Sequence, residues 1–140
     1  LNLKIRDLIG KKNLAYAFGR QAIKHAHLNA LADVNFEGAI NRPNTIPFSV
    51  KDQLRVRGMT QTCGFSDIVR PGEYTCEVAR MLEENGMTPY VHSNVPQGLW
   101  GLESTNYMFG SVETPTTKAL RVVDHPVDNV SLSRLEARLL

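Results

Sequence analysis

The tightest constraint on this chain lies in residues 11–32, where small side chains recur at helical spacing. Ala15, Gly19, Ala22, Ala26 and Ala30 stand three or four residues apart and so share one ridge of an α-helix. A ridge without bulk is buried only if another element approaches its backbone closely. Alanine at 15, 17, 22, 26, 30 and 32 adds intrinsic helix propensity, and Asn13 offers a capping side chain. Lys12, Tyr16, Arg20, Lys24 and His27 fall on a separate, mostly basic stripe. Two readings fit the two stripes. Either the helix packs on its own domain with its charged face in water, or it docks on a partner subunit or a polyanion.

Charge gathers at the same end. Residues 1–27 carry Lys4, Arg6, Lys11, Lys12, Arg20 and Lys24 against Asp7 alone, a local +5 that leaves −3 for the remainder of a chain whose formal net charge is +2. That total is too small to mark the whole chain as a nucleic-acid binder. At 140 residues, with 42% apolar and 21% charged side chains, the expectation is one α+β domain with an ordinary core. Residues 1–35 read as a basic helical arm and residues 36–140 as the body. Cys63 and Cys76 are too few for a disulfide framework and are expected as buried free thiols, with a single bridge as the alternative. No apolar run approaches the roughly 20 residues of a membrane helix. Residues 1–10 alternate apolar with charged side chains and form no secretory core. Their acid-poor, basic composition is that of a mitochondrial transit peptide, but it leads into a helix without a Ser-rich stretch.

Beyond the arm, Gly38 and the run Asn41-Arg42-Pro43-Asn44 to Pro47 read as a connector, because Pro43 and Pro47 fit neither a helix interior nor a central strand. Phe48, Val50, Leu54 and Val56 alternate around polar residues and predict one or two short strands. A further strand is expected within 59–69, before Arg70-Pro71-Gly72. A middle helix is predicted over 73–85, with Val78, Ala79, Met81 and Leu82 inward and Asn85-Gly86 as its stop. Residues 87–118 are rich in Gly, Pro, Ser, Thr and Asn and read as a long loop region, with Trp100, Tyr107, Met108 and Phe109 as anchors and a strand over 106–112. A strand at 119–123 and a short C-terminal helix at 128–140 complete the expected fold. That fold is an N-terminal helix, a small mainly antiparallel sheet, a middle helix and a closing helix.

No motif for chemistry stands out. His25 and His27 are two apart, roughly 200° around a helix of about 3.6 residues per turn, and Cys63 and Cys76 lack close companions, so no metal site is read. There is no nucleophile elbow and no phosphate loop, and Asp124-His125 would point to opposite faces of a strand. The run Glu83 to Pro89 resembles the end of a pentatricopeptide repeat, but it occurs once and such repeats need about three copies. No catalytic residue, cofactor or metal ligand is assigned. Lys11, Lys12, Arg20, Lys24, Trp100 and Tyr107 are the candidate partner contacts.

One stretch has a family texture. The basic, Ala-rich helix runs through Asn29-Ala30-Leu31-Ala32 to Phe36. Asn41-Arg42-Pro43-Asn44-Thr45-Ile46-Pro47-Phe48-Ser49-Val50 and Leu54-Arg55-Val56 follow it. Residues 14–60 resemble the start of the tail-completion, minor tail protein Z-like proteins of long-tailed phages. In those an Ala/Arg-rich helix precedes an R-P-T-P-F-T-like turn and a strand with a basic residue. Here Asn44 and Ile46 interrupt that run. The resemblance implies a non-enzymatic virion subunit at the tail or head–tail junction, working by homo-oligomer assembly with neighbouring subunits and taking no small-molecule substrate. The alternative is an RNA-binding component of a ribonucleoprotein in the cytoplasm or mitochondrial matrix, with the basic stripe on phosphates. A small enzyme is the third reading.

Overall fold

The structure is a computed structural model, and it describes residues 13–114 and 117–121. It is a mixed α/β arrangement of a few helices and small sheets. In chain order the elements are α1 (Asn13–Lys24), a 3-10 turn (Ala26–Leu28), β1 (Leu31–Val34), α2 (Phe36–Ile40), β2 (Ile46–Lys51), β3 (Thr60–Gln61), β4 (Arg70–Pro71), α3 (Glu77–Glu84), β5 (Met87–Ser93), a second 3-10 turn (Gln97–Leu99), β6 (Thr105–Asn106), β7 (Gly110–Ser111), β8 (Glu113–Thr114) and β9 (Thr117–Arg121). The closing helix expected at 128–140 lies outside the described residues.

The small-residue ridge of α1 is used within the fold. Leu14, Ala15 and Phe18 join Ala39, Tyr90 and Val91 in one buried cluster, with Leu31, Phe36 and Ile40 packed against it. Gly19 faces the Phe36 ring of α2, where a Cβ would make ordinary van der Waals contact at 3.6 Å. Phe18 meets Tyr90 edge-on at 5.5 Å between ring centroids, a favourable aromatic geometry. Arg20 and Lys24 project outward.

The helix predicted to run to residue 32 stops at Lys24. The chain tightens into the 3-10 turn, and Asn29 adopts the left-handed conformation (φ 55°), which asparagine tolerates better than most side chains. That reversal buries Leu28 and aims Leu31–Val34 along the sheet. Tertiary burial thus overrides the alanine propensity at 26, 30 and 32. Asn35 caps α2, its Oδ1 accepting from the Gly38 N–H at 3.1 Å.

The main sheet has the order β1-β5-β2. β1 runs antiparallel to β5, while β2 runs parallel to it, with Ser49↔Val91, Val50↔His92 and Lys51↔Ser93 in register. The remaining pairs, β3–β4, β6–β7 and β8–β9, are short and antiparallel. The expectation of a mainly antiparallel sheet therefore misses the parallel pairing that organises the centre.

Two prolines explain part of the difference. Pro47 sits within β2, which is tolerated because β2 is an edge strand. Pro89 sits within central β5, but β1 reaches only to Val91, so at Pro89 the strand has a neighbour on one side alone. A register shift between Phe48 and Ser49 accommodates it.

A second core forms on the other side of β2 from Val50, Val56, Met59 and Ala79, with Phe48, Leu54 and Cys76 against it. On α3 it is Ala79 and Leu82 that turn inward. Val78 and Met81, expected inside, are more than half exposed. Arg80 bridges Glu77 and Glu84 along the outer face of α3. The bond from the Arg80 guanidinium holds the Glu77 carboxyl below its ordinary range.

Candidate active site

The candidate site lies at the carboxyl ends of the parallel pair β2 and β5, the end of a parallel sheet where ligands ordinarily bind. Lys51 is the last residue of β2 and is half-buried. Its register partner Ser93 is the last residue of β5 and only 2% exposed. The two strands are tied just beyond this point, where the Asp52 N–H donates to the Ser93 carbonyl at 3.1 Å.

Asp52 is fully buried and holds the following loop in place. Its carboxylate accepts from the Thr62 N–H at 2.9 Å and, by a short bond, from the Thr62 hydroxyl. Thr62 Oγ1 in turn accepts from the Gly64 N–H at 3.0 Å. His92 lies alongside, its Nδ1 3.5 Å from Asp52 Oδ1 and 2.9 Å from the Thr60 carbonyl. With the proton on Nδ1, the ring donates to Thr60. The Thr60 N–H is held from the opposite side by Asp33 of β1 at 2.5 Å. Thus three strands and the β2–β3 loop converge on one largely buried polar cluster around Asp52, the residue after Lys51.

Two polar atoms in this cluster have no partner, His92 Nε2 and Ser93 Oγ. A buried polar atom left unpaired costs on the order of 1–3 kcal/mol. Such atoms are tolerated most readily where function demands them.

In front of the cluster, Phe48, Val50, Lys51, Leu54, Val78 and Leu82 line an apolar groove of about 270 Å³. Lys51 is one of the residues that line this groove, and Asp52 follows it in the chain. Among the described residues there is no group of three or more His, Cys, Asp or Glu side chains able to hold a metal ion.

Cys63 follows Thr62 and has a left-handed backbone (φ 52°). Burial and the nearby Asp52 carboxylate push its thiol above the ordinary range. The thiolate is the reactive form, so Cys63 is a poor nucleophile here. Its alkylation by iodoacetamide at pH 8.5 is expected to be several times slower than that of an unstructured cysteine peptide, measured by mass spectrometry. A rate equal to the peptide's would contradict this placement. Both cysteines are free and half-buried, so the fully buried environment expected of them is not what the fold provides.

Of the six sequence-predicted contacts, Lys11 and Lys12 lie outside the described residues. Arg20 and Lys24 are exposed on α1, where they line a surface groove with Ala17 and Gln21. Trp100 and Tyr107 are 92% and 96% exposed on the loops after β5. The structure does not bring the basic pair and the aromatic pair into one site. Sequence reading assigned no role to Lys51, Asp52, His92 or Ser93. The available signal was the polar run His92-Ser93-Asn94 at the end of an apolar stretch, but Pro89 and the surrounding Gly, Ser and Asn made that segment look like loop.

Comparison with known proteins supplies the family. The sequence model of the family described as Amidase matches residues 5–122. An amidase of Gibberella moniliformis is 30% identical over 115 residues, covering 69% of this chain and 22% of the relative. Fatty-acid amide hydrolase 1 of Sus scrofa is 34% identical over 71 residues, covering 50% of this chain and 12% of the relative. The chain thus spans about a fifth or less of the length of these relatives.

Among solved structures, a crystal structure of an amidase matches with a TM-score of 0.77 at 20% identity, covering 89% of this chain and 32% of that one. The substrate complex of 6-aminohexanoate cyclic dimer hydrolase also gives 0.77, at 15% identity, covering 87% and 28%.

These findings overturn the phage reading. The helix and the Arg42-Pro43 turn that suggested a tail-completion protein are the start of an amidase-type layer. In it the small ridge packs on Phe36 and the turn delivers the chain into β2. The non-enzymatic virion subunit, its neighbouring virion partners, its location in a particle and the exclusion of a small-molecule substrate fall with that resemblance. The ribonucleoprotein alternative falls too, because the relatives are named for hydrolysis of amides. With 118 of its residues under one family model and the same fold in two solved hydrolases, this chain belongs to the amidase family.

Proposed function

We propose that this chain contributes the lysine-bearing part of a site that hydrolyses the C–N bond of a small-molecule amide. The observation that carries the reading is the position of Lys51. It ends a parallel strand, is followed directly by the buried Asp52 that bonds to Thr62, and is among the residues lining an apolar groove. Amide hydrolysis needs a group that takes a proton from the attacking hydroxyl or water and returns it to the departing nitrogen. A lysine amine performs both transfers when it is held in place.

Ser93 is too enclosed to meet a substrate, so the reading assigns the attacking group to a part of the fold outside residues 13–114. The groove walls Phe48, Val50 and Leu82 favour an acyl portion with apolar character. Residues 1–140 are read as one folding unit, because α1 shares its buried cluster with β5.

The test is a chimera in which residues 5–122 of this chain replace the matching segment of the Gibberella moniliformis amidase. The chimera is expected to hydrolyse a primary amide such as acetamide. Lys51→Met is expected to lower kcat/KM by at least about 100-fold, the lower end of the range for loss of a general acid–base group. A folded Lys51→Met chimera with unchanged turnover would remove Lys51 from the chemistry.

A further inference from the structure

A second cavity, of about 250 Å³, lies toward the amino ends of the parallel pair. Asn35 and Arg42 line it from either end of α2, Arg57 and Thr75 from the chain between β2 and α3, Glu83 from α3 and Thr88 from β5. Thr88 is the second residue of β5 and Ser93 the last, so at about 3.3 Å per residue they stand roughly 16 Å apart. The cavity shares no lining residue with the groove that includes Lys51.

Its donors outnumber its acceptors. Glu83 is the one acid among the lining residues, and Arg42 Nη1 donates to its Oε1 at 2.6 Å. Among the described residues the Arg57 guanidinium has no ion-pair partner. Its main chain, by contrast, is fixed. The Arg57 N–H donates to Thr75 Oγ1 at 3.1 Å, and the Gly58 N–H beside it donates to the Gly72 carbonyl at 3.0 Å. Thr75 Oγ1 accepts that first bond and keeps its own proton to donate. Asn35 Oδ1 is committed to the Gly38 N–H at 3.1 Å, which leaves its amide nitrogen as a further donor. Two guanidinium groups against one carboxylate give the cavity a net charge of +1.

We propose that this cavity binds a small monocarboxylate, with Arg57 and the free N–H groups of Arg42 taking its two oxygens and Thr75 and Asn35 as neighbouring donors. A carboxylate only accepts hydrogen bonds, and its plane matches the guanidinium fork. Its single negative charge cancels the charge the cavity carries. The volume lies just below the roughly 300–1,000 Å³ of sites for larger ligands, so the acid is a short one, with Pro89 as an apolar wall for its alkyl end. Nothing in the proposal depends on Lys51 moving a proton.

The probe is sodium propionate, titrated into the isotope-labelled 140-residue chain at constant ionic strength and followed by amide NMR. The expected result is a set of saturable shifts centred on Gly38, Arg57 and Thr75, with a Kd of about 1 mM. Arg57→Gln should raise that Kd at least about tenfold, the equivalent of one hydrogen bond to a charged group. Glu83→Gln should lower it several-fold, because it removes the competing acid and frees the fork of Arg42. A gain in affinity is what a merely structural Arg42–Glu83 pair would not produce. Lys51→Met should leave the Kd unchanged.

Propionamide has the same shape without the charge and should not bind. Binding of propionamide as tight as that of propionate overturns the proposal. So does an unchanged Kd in both Arg57→Gln and Glu83→Gln. Equal shifts with sodium chloride would make the response one to any anion, and tighter binding of inorganic phosphate would make the ligand a different oxyanion; either result overturns it. Shifts centred on Lys51 and Leu54 would place the acid in the other groove and overturn it as well.

Discussion

Replacing Asp52 with alanine is expected to lower the unfolding free energy by about 4 kcal/mol, from the loss of several hydrogen bonds to a buried charged acceptor. The carboxylate is fully buried and accepts both the N–H and the hydroxyl of Thr62, with His92 Nδ1 beside it. Alanine would strand those donors in an enclosed space, and the penalty for unpaired buried groups exceeds the modest gain of the bonds themselves. Asp52→Asn keeps one acceptor oxygen and should lose clearly less. Thr62→Val removes one donor and its lone pair and should fall between wild type and Asp52→Ala. Urea unfolding of the three variants checks the order. An Asp52→Ala loss within about 1 kcal/mol of wild type would mean that the cluster does not hold the β2–β3 loop.

Gly72→Ala is the second large effect, a loss of about 3 kcal/mol, at the upper end of the range for overpacking. A Cβ at residue 72 would overlap the carbonyl oxygens of Val56 and Met59. Both are main-chain atoms, so no side-chain rotation relieves the overlap. The Gly72 carbonyl also accepts from the Gly58 N–H at 3.0 Å, so the two strands of chain cannot part without losing that bond. Gly86 is the useful contrast. A Cβ there meets open space, but the backbone is left-handed (φ 82°), so Gly86→Ala tests conformation alone and should cost less. Thermal melts of the two variants separate the mechanisms. Gly72→Ala no less stable than Gly86→Ala would contradict the close approach of residues 56–59 to residue 72.

Asp52 opens the loop after β2 and Gly72 packs against the Val56–Met59 part of that loop, so both variants are also expected to disturb the groove. This links stability to the proposed chemistry through one device. Asp52 and Gly72 hold the segment after β2, and β2 ends in Lys51.

Local signals in the sequence were read correctly where the structure itself is local. The Ala15–Gly19–Ala22 ridge announces a helix that needs a close neighbour, and α1 with Phe36 against Gly19 is that arrangement. Asn85-Gly86 stops α3 at the predicted place, with Asn85 bonded back to the Met81 carbonyl at 2.8 Å. The start of α3 was set four residues early, because Pro71 and Gly72 belong to a tight contact and not to a helix entrance. The partner of the α1 ridge was misjudged, because a stripe of small residues states that something packs closely and not what does so.

The active-site cluster was not legible in the same way. Asp52 and His92 are forty residues apart, and each alone reads as an ordinary polar residue near a turn. Pro89 and the Gly, Ser and Asn around it carry the composition of a loop, yet residues 87–93 form the central strand. What rescues that strand is its neighbours. β2 pairs along its whole length and β1 only beyond Pro89, so the missing N–H is never required.

Local sequence specified elements whose stabilising contacts lie within one or two turns of chain: the α1 ridge and the stop of α3. The meeting of Lys51, Asp52, His92 and Ser93 at the ends of β2 and β5 depends on strand pairing. Strand pairing joins residues far apart in sequence, and its register depends on every neighbour of β5 at once.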